Sequence, residues 1–394
     1  MQLHHVLLVA AIAVQLSSAF QTASKTSKLN GWFACSESVF DESGSSDVQG
    51  AECATYSAPL CYPGVCKAPE SVNQTVDIFV KRLPADEPKT ATNVWLLRGQ
   101  ASADLESSIT MLYEQLKGTA NVYTMDHRGS GRSTFLDCTA AQSITNGAPR
   151  GKEIEPSEVP SCAKVMERKY GDLAAFSPTS AAKDLITLIL LKLLDTFWMG
   201  LQADTSNPLD SDVLYYLIVF SEMWETPQPS MAEMTKRFTK YEKSKTCSKY
   251  KFGNYDAPGI IYKHDKYWNA RIAIPDQASV LLVSSKMDTQ TPHKYAESFL
   301  KSLKGDNKEL ITFDYSVHGA LTSILLETEV PEIETCGVEL LASYVSSGGD
   351  LDSLDKSCLD EMLEFNLTLN DFHKIMLGGV DAYDGTFELI PGRY

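Results

Sequence analysis

Basic residues are scarce in this chain. Lys and Arg number 35 against 51 Asp and Glu, a formal net charge of −16 over 394 residues. Such a chain gains nothing from phosphate backbones or anionic lipid, which sets nucleic-acid and peripheral membrane binding aside. It has no Cys-x-x-Cys pair and no histidines at ligand spacing, so a metal site is not expected. After the first 20 residues no segment is long and apolar enough to cross a bilayer. Internal repeats and low-complexity tracts are also missing, which excludes solenoids and a globally disordered chain.

What remains is a globular sequence, 43% hydrophobic, long enough for one large catalytic domain with a lid or for two ordinary domains. Residues 1–19 carry a weak n-region at His4 and His5, an apolar stretch from Val6 to Leu16, and small residues at Ser17, Ser18 and Ala19. This reads as a cleaved secretory signal. Nine cysteines fit an oxidising compartment. Pairing of sequence neighbours would give Cys35–Cys53, Cys61–Cys66, Cys138–Cys162 and Cys336–Cys358, and would leave Cys247 alone. The sequence itself does not fix the connectivity. Sequons at Asn73 and Asn366 agree with secretion.

Residues 20–75 are polar and cysteine-rich, a stapled extension. From Val76 onward the chain alternates strand and helix. Val76, Ile78 and Val80 share one side of a strand, and Asn93 to Leu97 forms a compact apolar one. Leu105, Ile109, Leu112 and Leu116 keep helical spacing, and Asn121 to Met125 is the next strand. Short loops between strand, helix and strand indicate a parallel α/β sheet. Ser180 to Leu194 is helical in pattern. Leu209 to Glu225 and Met231 to Tyr241 read as lid helices carrying Tyr215, Tyr216, Phe220 and Trp224. The α/β pattern returns with strands at Ser279 to Ser284 and Glu309 to Tyr315, and helices from Thr291, Gly319 and Cys336. Thr291 is expected to cap its helix, with Pro292 at the first helical position. This gives an N-terminal half of the α/β domain at 76–195, a lid remnant at 196–270 and a C-terminal half at 271–394.

Two residues stand where α/β sheets place their chemistry, beyond the carboxyl ends of strands. Asp288 follows the strand ending at Ser284, and His318 follows the next one. An acid and then a histidine after successive C-terminal strands is the chain order of a Ser–acid–His triad on an α/β-hydrolase sheet. In that arrangement the acid orients the imidazole, which takes the nucleophile's proton.

These pieces, with the Asn93–Gly99 strand and loop, Asp126-His127-Arg128-Gly129-Ser130-Gly131-Arg132-Ser133, Lys286-Met287-Asp288-Thr289-Gln290-Thr291-Pro292 and Val317-His318-Gly319, resemble the secreted prolyl- and tripeptidyl-aminopeptidase-like serine peptidases. The likeness covers about 76–189 and 209–370. It implies an α/β-hydrolase fold, mostly parallel with a helical lid, and a Ser–Asp–His triad that uses no cofactor. It also implies peptide substrates shortened from their N-terminus. Asp288 and His318 match the acid and base. Asp126 and Arg128 match a structural turn near the site, and Gly99 and Gln100 the oxyanion loop.

The chain departs from this pattern twice. G-x-S-x-G, the elbow that presents the serine, occurs nowhere. The interval from Ile189 to Asp288 reads as lid helices and loop, without the strand that should lead to the elbow. Ser130, Ser133 and Ser221 lack elbow surroundings. The oxyanion loop reads Gly99-Gln100-Ala101-Ser102, residues ill suited to positive φ. One reading is an active peptidase whose sequence has lost a segment near residue 190. The other is a pseudoenzyme, a secreted binding or decoy protein. An esterase or epoxide hydrolase is the weaker third.

Overall fold

The computed structural model describes residues 29–36, 50–99, 101–138, 158–190, 196–200, 209–223, 260–268, 272–276, 278–321 and 335–362, with 230, 232, 233, 236 and 270. The signal segment, Gln100, Cys247, Asn366 and most of the second expected lid helix lie outside them.

Six strands form one sheet: β1 (Phe33–Cys35), β2 (Ala51–Pro59), β3 (Thr75–Leu83), β4 (Thr92–Arg98), β5 (Ala120–Met125) and β6 (Thr196–Gly200), in the spatial order β1-β2-β3-β5-β4-β6. The β1/β2, β2/β3 and β3/β5 pairs are antiparallel, whereas β5/β4 and β4/β6 are parallel. Two further parallel strands, β7 (Val280–Ser285) and β8 (Lys308–Phe313), make a second small sheet. The strands expected near 93, 121, 279 and 309 are therefore all present in an α/β fold, but they fall in two sheets instead of one, and the larger sheet is mixed, not mostly parallel.

β6 corrects the sequence reading. The interval after residue 190 was read as free of sheet, yet Thr196 pairs with Val94 and Gly200 with Arg98. The helix preceding it, α3, is described over Pro178–Leu190, and the rest of the expected span to Leu194 lies outside the described residues. An apolar run interrupted only by Lys192, Leu188 to Leu194, hid the change from helical to strand period, since such a run fits either.

Alternation along the central strands sends successive side chains to opposite faces. Trp95, Leu97, Tyr123 and Met125 join Met166 and Tyr170 of α2 (Val159–Tyr170), Leu185 and Leu188 of α3, and Val213, Leu214 and Leu217 of α4 (Asp212–Ile218). Val94, Leu96 and Val122 face the other way. They meet Ile109 and Leu112 of α1 (Glu106–Gln115), and Val338, Leu341 and Val345 of α6 (Cys336–Ser346). Val94, Trp95, Leu96 and Leu97 are all 0% exposed, as expected of a strand covered on both faces. Burying each such leucine stabilises the fold by about 1.5–3 kcal/mol.

α6 also joins the two sheets. Its Leu340 and Cys336 pack with Ile311 and Phe313 of β8, while its other side lies on α1. The helix from residue 209 is only partly lid-like. Val213, Leu214 and Leu217 are core, whereas Tyr215 and Tyr216 are 41% and 38% exposed. Among the described residues, no helix is long and apolar enough to cross a membrane.

All four neighbour disulfides are formed: Cys35–Cys53, Cys61–Cys66, Cys138–Cys162 and Cys336–Cys358. Titrating thiols on the denatured, unreduced protein should therefore find about one per chain, from Cys247. Material with most cysteines reduced would overturn the staple reading.

Candidate active site

The residues singled out from the sequence lie in the loops at the carboxyl ends of β4 and β5, and in the turns after β7 and β8. After β5 the chain enters Asp126 to Ser133. Gly131 has φ +57°, and a Cβ there would stand 2.4 Å from the Asp126 carboxyl carbon, so only glycine fits. Asp126, 0% exposed, accepts Ser102 N–H and Oγ–H on Oδ1 at 2.7 and 2.6 Å. Its Oδ2 accepts Arg132 N–H and Nε–H at 2.7 and 2.9 Å. Burial pushes this carboxyl up, but Arg132 and the Ser102 hydroxyl outweigh it and hold it below the usual carboxylate range.

Arg128 is buried, and its Nε–H and Nη2–H donate to the Asp184 carboxylate of α3 at 2.6 Å each. Its Nη1 donates to the carbonyls of Leu60 and Ala175, and its Nη2 to that of Pro59. Tyr62 completes the cluster by donating to Asp184 at 2.7 Å. Burial, then the Asp184 charge, pushes the Tyr62 phenol far up, so it stays a donor. Both Asp126 and Arg128 thus brace the loops.

The loop after β4 is tied down as well. Ala101 is extended (φ −69°, ψ 146°), and its N–H donates to the Asp210 carboxylate at 3.1 Å. With Ser102 N–H spent on Asp126, neither amide faces a cleft. Gly99 has open space where a Cβ would stand, so sterics do not demand glycine there.

Asp288 and His318 are brought together from the turns after β7 and β8. His318 Nδ1–H donates to Asp288 Oδ2 at 2.8 Å, with side-chain exposures of 16% and 8%. Oδ1 of Asp288 accepts the N–H groups of Gln290 and Thr291 at 2.8 and 2.7 Å. Thr291 does not cap the following helix, as the sequence suggested. The N-cap position of α5 (His293–Ser302) falls on Pro292 without a side-chain bond, and the Thr291 hydroxyl donates to Asp288 Oδ2 at 2.6 Å. Burial pushes the Asp288 carboxyl up, but the Thr291 and His318 donors prevail, and it lies below its ordinary value.

An ionised carboxylate on Nδ1 fixes the tautomer that leaves Nε2 as the basic nitrogen. That atom is buried and has no hydrogen-bond partner among the described residues. The serines weighed from the sequence are engaged elsewhere. Ser130 donates to the His127 carbonyl, Ser133 to the Asp126 carbonyl, and Ser221 accepts from Tyr262 N–H. β6 ends at Gly200, beside Arg98 of β4. From that glycine the sequence reads Gly200-Leu201-Gln202-Ala203-Asp204, with glutamine third, where G-x-S-x-G has serine. Asp210 and Thr291 went unremarked as site residues. The Asp-x-x-Thr spacing, typical of side-chain-stabilised turns, could have flagged Thr291.

Neither a protein family nor a curated protein matches the sequence. Solved structures similar to the chain are α/β-hydrolases. Alpha/beta hydrolase domain-containing protein 10 from mouse is 11% identical, covering 72% of this chain and 98% of its own at a TM-score of 0.31. A monoacylglycerol lipase from Paleococcus ferrophilus is 15% identical, covering 69% and 99% at 0.31. A thermophilic esterase from Thermogutta terrifontis is 12% identical, covering 73% and 96% at 0.30. At such scores the α/β assignment rests on the chain's own sheet.

Proposed function

We propose that this chain is a secreted α/β-hydrolase-fold protein of the serine-peptidase, aminopeptidase-like kind that has lost acyl-transfer chemistry and acts by binding peptides. One observation supports the reading: β6 pairs in parallel with β4, as a nucleophile strand would, and the sequence from its final Gly200 puts Gln202 where G-x-S-x-G has serine. A chain that had merely lost the segment near residue 190 would lack β6 as well. The spent amides of Ala101 and Ser102 point the same way, because an oxyanion needs donors free to meet it. Loss of the serine costs on the order of 10⁶ in rate in the subtilisin example. The four disulfides support secretion. The Asp288–His318 contact favours a second reading, a live hydrolase with its serine elsewhere.

A fluorophosphonate probe separates the two. The full-length protein should show no labelling above a heat-denatured control. Labelling that disappears in His318→Ala would overturn the binding-protein reading.

A further inference from the structure

The geometry points to Thr291 as a positioning residue, whose hydroxyl sets the charge and orientation of the Asp288–His318 pair. Oδ2 of Asp288 receives two donors, Thr291 Oγ–H at 2.6 Å and His318 Nδ1–H at 2.8 Å. The same hydroxyl oxygen lies 3.3 Å from His318 Nδ1. A hydroxyl has one proton and two lone pairs. With its proton on the carboxylate, a lone pair is left for the imidazole N–H, which is thereby shared between two acceptors. Carboxylate, hydroxyl and imidazole close a three-membered ring of polar contacts.

Two consequences follow. The carboxylate accepts four hydrogen bonds, two on each oxygen, which favours the anion. The imidazole is held at Nδ1 by two oxygens from different residues, Asp288 Oδ2 and Thr291 Oγ1, which restricts rotation of its ring. Thr291 holds this place because Pro292, next in sequence, occupies the N-cap position without a side-chain acceptor, so the hydroxyl is not drawn to the helix. The inference stands on the pair alone and holds whether or not the chain carries a nucleophile.

Thr291→Val keeps the shape and removes the hydroxyl, and Thr291→Ser keeps the hydroxyl. The test follows the Asp288 carboxyl carbon through an acid titration and the His318 Nδ1 proton by NMR, on the full-length disulfide-bonded protein. In Thr291→Val the Asp288 midpoint should move upward, and exchange of the Nδ1 proton should quicken about tenfold, as for one charge-assisted hydrogen bond lost. Thr291→Ser should restore both. A valine variant that only melts earlier, with the Asp288 midpoint and Nδ1 exchange unchanged, would overturn the assignment and leave Thr291 a packing residue. Failure of the serine variant to restore either signal would overturn it too.

Discussion

Asp184→Ala should destabilise the protein by about 3–5 kcal/mol, a large part of the total for a domain of ordinary stability. Urea denaturation with the disulfides intact would measure it. Both side chains of the Arg128–Asp184 pair are 0% exposed, so deleting the carboxylate strands a guanidinium with no water to receive it. Burial opposes the Arg128 charge, but Asp184 outweighs it, so the cation remains. Tyr62 loses its acceptor in the same stroke. Adding Arg128→Met to Asp184→Ala should recover part of the loss, because the uncompensated charge then leaves as well. Recovery should stop short of wild type, since the carbonyls of Leu60 and Ala175 lose their donor. A single-variant cost below about 1 kcal/mol would mean that water reaches the pair.

The cluster also shows what a sequence can and cannot tell. Asp126 and Arg128 read as a structural turn from their glycine-rich surroundings alone, and local chemistry is what one sequence reports well. Arg128's partner lies 56 residues on, in a helix whose only readable feature was its apolar face. No local pattern names Asp184. β4, β5, β7 and β8 were legible because short apolar runs bounded by turns have few alternatives. β6 was not, because Leu188 to Leu194 continues the apolar character of the helix before it. That reading left the interval after residue 190 without the strand that pairs with β4.

The Asp288–His318 contact was legible for a topological reason. Loops after neighbouring parallel strands emerge on one edge, and β7 and β8 pair along their whole length. The role of Thr291 was not, because Thr-Pro before a helix carries the same letters whether the hydroxyl caps the helix or serves the acid. Only the backbone at Pro292 decides between them.

Asp126→Asn should lower stability by about 3 kcal/mol at neutral pH, and the deficit should shrink in acid. The native carboxyl lies below its ordinary value. A depressed group contributes stability that is fully present above its unfolded pKa, about 3.9, and is lost as pH falls through the lower native one. The gap between wild type and Asp126→Asn should therefore be flat from about pH 7 to pH 5 and narrow below about pH 4. Taking the difference removes the contributions of Glu106 and other carboxylates common to both proteins. The amide adds a mismatch of its own. With its oxygen kept towards Ser102, its NH₂ takes the place of Oδ2 and meets two donors, Arg132 N–H and Nε–H. Flipping the amide moves the clash to the Ser102 N–H instead. Part of the deficit is thus independent of pH, and a residual gap should persist at pH 3. A gap of constant size from pH 7 to pH 3 would show that Asp126 holds the two loops through hydrogen-bond geometry alone, with its charge contributing nothing.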